Sequence, residues 1–70
     1  MEEAEFRVMQ DGLKVAAVSG PREECIIEVD RYAAMYSQDG PVLIEQKVRG
    51  RWCRYLEIPH SPTPAKQYND

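Results

Sequence analysis

The chain is poor in the residues that usually carry chemistry. Among its 70 residues are two cysteines, one histidine, one tryptophan and four glycines. Cys25 and Cys53 are separated by 27 residues and form no C-x2-C pair, and His60 sits among prolines, so a zinc site is not expected. With no secretory signature, the two thiols are read as reduced and buried rather than bridged. No apolar run approaches the roughly 18 residues of a membrane-spanning helix. Bases are not in excess either. Nine Lys and Arg stand against twelve Asp and Glu, a net charge of −3, which removes the usual profile of a nucleic-acid binder. The opening residues, Met1-Glu2-Glu3-Ala4-Glu5, are acidic and lack an apolar stretch, so no leader and a cytoplasmic location are expected.

Catalytic sets are equally thin. The sole histidine leaves no Ser-His-Asp or Cys-His arrangement. Ser19-Gly20-Pro21 lacks the second glycine and the lysine of a phosphate loop. Glu24 and Glu28 lie four apart on one helix face, but such pairs are ordinarily a solvated surface. The expectation is a protein that is not an enzyme and binds no metal and no cofactor.

What is present is a clear alternation of structure signals. Residues 5–10 and 13–18 flank Asp11-Gly12, a strong hairpin signal. A two-residue turn with regular pairing places Phe6, Val8, Leu13, Val15 and Ala17 on one face. Pro21 followed by Glu23 and Glu24 reads as a helix start. At 100° per residue, Cys25, Ile26, Val29, Tyr32, Ala33 and Tyr36 share one arc, the core stripe of a helix over 21–38. Gly40 is its expected left-handed cap and Pro41 its stop. Residues 42–48 and 51–58 flank Arg49-Gly50 as a second hairpin. Val42, Ile44, Val48, Cys53 and Tyr55 are assigned to the helix side. Leu43, Glu45, Lys47, Trp52, Arg54 and Leu56 are assigned to the other face. Residues 59–70, with three prolines, read as a flexible, disordered tail. The chain is thus a single small α+β domain over 1–58. It forms a two-layer ββαββ fold, a four-stranded mainly antiparallel sheet with one helix on one face.

In such a fold one sheet face stays open. Here it would carry Trp52, Leu43, Leu56, Val18 and Met9 among bases, too apolar for solvent, which motivates a homodimer. Charge is also uneven. Residues 1–41 hold nine acids and four bases, and residues 42–58 hold two acids and four bases. Hairpin 47–55 alternates Lys47, Arg49, Arg51 and Arg54 with Trp52 and Tyr55, a pattern able to track phosphates and stack bases. Trp and Arg are equally the residues enriched at protein interfaces. Ile27 and Arg31 lie on the helix surface outside the core arc. The candidate partner-binding residues are therefore Trp52, Arg51, Arg54, Lys47, Arg49, Ile27 and Arg31.

The stretch Tyr32-Ala33-Ala34-Met35-Tyr36-Ser37-Gln38-Asp39-Gly40-Pro41-Val42, followed by Arg49-Gly50-Arg51-Trp52, resembles small open reading frames carried by phages and prophages of proteobacteria. The resemblance covers residues 5–58. It implies a bacterial cytoplasm and an accessory protein that binds a host or phage protein, and it carries over no catalytic residue. The functional expectation is a small non-enzymatic protein acting by stoichiometric protein–protein interaction, including with itself as a homodimer. One alternative is a nucleic-acid-binding module using hairpin 47–55. Another is a self-associating structural subunit.

Overall fold

A computed structural model describes residues 2–61 of the chain. The order is β1 (Glu3–Gln10), β2 (Leu13–Pro21), α1 (Arg22–Tyr36), β3 (Val42–Val48) and β4 (Arg51–Ile58). The four strands form one antiparallel sheet in the order β2-β1-β3-β4, with α1 on one face. The expected ββαββ, two-layer α+β fold is the observed one. Both hairpins close through two-residue turns with positive φ at each position: 55° and 78° at Asp11-Gly12, 54° and 80° at Arg49-Gly50. These are the mirror-image turns whose twist suits a hairpin. Asp tolerates the left-handed region, whereas Arg gains nothing there and an L-residue with a full side chain is strained by about 1 kcal/mol. Replacing Arg49 by Gly should therefore stabilise the fold by about 0.5–1 kcal/mol, read as a raised midpoint in thermal or urea unfolding. An unchanged or lowered midpoint would show that the turn is not strained.

Each hairpin contains one bulge, and the two bulges decide which side chains reach the core. In the first, Val8 pairs with Ala16 and Met9 with Lys14, so Val15 is the extra residue. The regular register expected from the turn holds only up to Lys14. Val15 still packs against the core, and the residues after it change face. Val18, expected outside, joins Phe6 and Val8 in the core, and Ala17, expected inside, is exposed. Leu13 keeps its face but lies beyond the end of the helix and is 67% exposed. In the second hairpin Ile44 pairs with Leu56 and Glu45 with Arg54, leaving Tyr55 extra. Leu56 is thereby turned to the helix side, correcting its expected place on the open face. Moving Val18 and Leu56 also makes the open face more polar than anticipated.

The core is Phe6, Val8, Val18, Cys25, Val29, Ala33, Val42 and Ile44, with Tyr32 and Tyr36 packed at its edge. The helix stripe is as expected save for Ile26, which is 37% exposed. Arg22 begins the helix rather than Pro21, and the Arg22 N–H donates to the Glu2 carbonyl at 2.9 Å. The end also differs from expectation. Gly40 does not adopt positive φ, and the helix stops at Tyr36. The Gln10 amide, from the central strand, donates to the Tyr36 carbonyl at 2.8 Å and to the Gly40 carbonyl at 3.2 Å. A side chain from β1 thus shares the Tyr36 carbonyl with the Asp39 N–H and ties the segment after the helix to the sheet. Of the tail, residues 59–61 are described. The Ser61 N–H donates to the Ser37 carbonyl, and His60 Nε2 lies 3.0 Å from the Gln38 carbonyl. The expectation of a disordered tail otherwise falls on residues 62–70, which lie outside the described residues.

Candidate partner-binding surfaces

A helix is about 10 Å across and neighbouring strands are about 4.8 Å apart, so one helix covers about two strands. Here it lies over β1 and β2 and only brushes β3. The helix-side face of β4, the outer strand, is left largely bare apart from Ile58, which packs against the core. Leu56 is 48% and Tyr55 37% exposed, although both turn towards the helix layer. Between α1 and β4 runs a groove of about 270 Å³ whose walls include Ile26, Ile27, Asp30, Ile44, Tyr55 and Leu56. On the outward pole of α1, Ile27 is 60% exposed.

The opposite, open face is organised around a charged centre. Arg7 Nε donates to Glu45 Oε1 at 2.6 Å, and the Arg7 guanidinium lies over the Trp52 ring, 4.3 Å from its centroid. Lys47 Nζ is 5.5 Å from the same ring and 3.8 Å from Glu5 Oε1. Arg54 and Glu57 approach to 4.0 Å. Across the strands Glu45 lies opposite Arg54 and Lys47 opposite Trp52. Glu45, however, takes its ion pair from β1 rather than from Arg54. A larger hollow of about 600 Å³ near the first turn is floored by this same Arg7–Glu45 pair, with Asp11 and Glu57 at its rim. Its one cation is already neutralised.

The seven candidate residues therefore fall in three places. Trp52, Lys47 and Arg54 share the open face. Arg49 and Arg51 occupy the tip of the second hairpin. Ile27 and Arg31 are exposed on the outer side of α1. Trp52 is half-buried, with its ring engaged by Arg7. Tyr55, Leu56 and Ile26 are not among those seven: from sequence, Ile26 belongs to the core stripe, Tyr55 to the basic-aromatic hairpin and Leu56 to the open face. Counting one helix against four strands would have pointed to them.

The cysteines separate. Cys25 is buried under the helix start and Cys53 is exposed on β4, and both are free thiols. The expectation of two buried thiols is thus half correct, because the helix does not reach β4. Burial pushes the Cys25 thiol pKa up, and Glu28, Glu3 and Glu24 add to this. Its thiolate, the reactive form, is thereby disfavoured. Among the described residues no three His, Cys, Asp or Glu side chains gather as metal ligands, and no helix is long and apolar enough to cross a membrane.

No family model, curated protein or solved structure matches the chain.

Proposed function

We propose that this chain is a small non-enzymatic binding protein that works by docking stoichiometrically on a protein, through the half of the helix-side sheet face that α1 leaves uncovered. The observation that carries this is the groove between α1 and β4, where Ile26, Ile27, Tyr55 and Leu56 expose apolar surface side by side. Scattered exposed apolar residues need no explanation, but a contiguous set beside a bare strand does. The setting implied by the resemblance, a phage-encoded accessory protein in a bacterial cytoplasm, fits a role of this kind, with a host or phage protein or a second copy as the partner.

Nucleic-acid binding through hairpin 47–55 is the second reading, favoured by four bases and no acid between Lys47 and Arg54. The engagement of Trp52 by Arg7 weighs against it, since the ring face beneath the guanidinium is taken. Affinity capture from a nuclease-treated proteobacterial lysate separates the two readings. The expected result is a protein recovered by the wild-type chain and lost with Leu56→Glu. Recovery that vanishes with nuclease, falls steeply with salt and depends on Arg51 and Arg54 would overturn protein docking in favour of nucleic acid.

A further inference from the structure

The sheet is about two strands wider than its helical cover, and the missing cover has the size and place of one more helix. We propose that a second copy of this chain supplies it. The two copies form a three-layer dimer, with a sheet on each outside and the two α1 helices side by side between them. This rests on the protein-docking reading above and names the partner.

The symmetry follows from the vacancy. A two-fold axis parallel to the strands, midway across the sheet, carries each helix from above its own β1 and β2 to beneath the other copy's β3 and β4. The contact is isologous and closes on itself. Rotation about that axis preserves height along the strands, so the register can be read from one copy. The start of α1 lies at the Arg49-Gly50 end, where Arg22 Nη1 donates to Gln46 Oε1 at 3.1 Å. The end of α1 lies at the opposite end, where Gln10 holds the Tyr36 carbonyl. Glu23, in the first turn, therefore comes level with Arg51 of the second copy, whose pairing with Val48 puts it on the helix side. Four residues on, about 6 Å along the helix, Ile27 comes level with the second copy's Cys53, two residues or about 6.6 Å along β4. Arg31 then reaches the level of the second copy's Tyr55 and Leu56.

Charge complements this register. Helix α1 carries Glu23, Glu24, Glu28 and Asp30 against Arg22 and Arg31, while residues 47–54 carry four bases and no acid. Glu23, Glu24, Arg49 and Arg51 have no ion-pair partner among the described residues. The dimer brings the acidic helix start of each copy to the basic hairpin tip of the other. It also covers Ile26, Ile27, Tyr55 and Leu56 together. A helix face plus a half-sheet from each copy is on the order of the roughly 800 Å² per partner of a standard interface.

Other pairings are less well supported. Both edge strands carry a bulge, at Val15 in β2 and Tyr55 in β4, and β4 also carries Arg51, Arg54 and Glu57; these features blunt edge-to-edge joining. The open face presents the charged network around Arg7.

Sedimentation velocity of the full chain over a concentration series tests the proposal. A monomer–dimer equilibrium is expected, with labelling of Cys53 slowing as dimer forms. Ile27→Glu and Leu56→Glu should each weaken the dimer by more than tenfold. Glu23→Arg and Arg51→Glu should each weaken it about tenfold, and the two together should restore it to near wild type. Circular dichroism melts establish that each variant is folded. A wild type that stays monomeric at high concentration, a dimer indifferent to Leu56→Glu, or a charge swap that fails to restore association would overturn it. A monomeric wild type whose capture of another protein is still lost with Leu56→Glu would overturn the second copy alone and leave protein docking standing.

Discussion

Phe6→Ala should leave the chain largely unfolded at 25 °C. Phe6 lies on a central strand, is fully buried and is the only phenylalanine. Its ring meets Tyr55 edge-on at 5.0 Å, and the Arg22 guanidinium lies over it at 5.6 Å. One side chain thus joins the covered half of the sheet to the uncovered half and to the helix start. Truncating a buried phenylalanine costs about 3–5 kcal/mol. A domain of this size has only about 3–5 kcal/mol in total. Circular dichroism and urea titration would read the loss directly. A cooperative transition with a midpoint near that of the wild type would mean that the core has been placed wrongly.

The second large effect is expected on the other face. Arg7→Ala should destabilise the fold by about 1.5–3 kcal/mol, more than an exposed ion pair contributes. The reason is geometry. Arg7 is half-buried, holds Glu45 at 2.6 Å and covers Trp52 at 4.3 Å. Its removal leaves a half-buried carboxylate without its cation and uncovers one face of an indole. Because the charge is only partly buried, solvent keeps the loss below the roughly 3–5 kcal/mol of breaking a fully buried pair. A double-mutant cycle with Glu45→Ala should return a coupling well above zero, and Trp52 fluorescence should shift in Arg7→Ala. A change within 0.5 kcal/mol, with no spectral shift, would show that the charged centre of this face is decorative.

Much of this was legible from residue order. Both turns, all four strands, the helix and the two-layer class follow from Asp11-Gly12, Arg49-Gly50, the Pro21 start and the stripe from Cys25 to Tyr36. What was not legible turns on single residues. Nothing in the local sequence marks Val15 or Tyr55 as bulged, because each is an ordinary strand residue in an alternating run. Yet each bulge moves the residues beyond it to the other face, and so places Val18 and Leu56. The helix stop was misread for a similar reason. Asp39-Gly40-Pro41 looks like a left-handed glycine cap, while the last turn is met by Ser37, by the Asp39 N–H and by Gln10, which is distant in sequence. The candidate surface shows the same division. Trp52 and the arginines stood out by residue type, whereas the groove is built from common apolar residues on two elements. Its existence depends on how far one helix reaches across a sheet, a tertiary fact.

The pairing of two copies through the helix-side face is tested most directly by amide and methyl NMR spectra of the full chain across a dilution series. Concentration-dependent shifts are expected at Ile26, Ile27, Cys53, Tyr55 and Leu56, with Trp52, Lys47 and Arg54 unmoved. Shifts centred on Trp52 and its neighbours, or none at any residue up to high concentration, would contradict it.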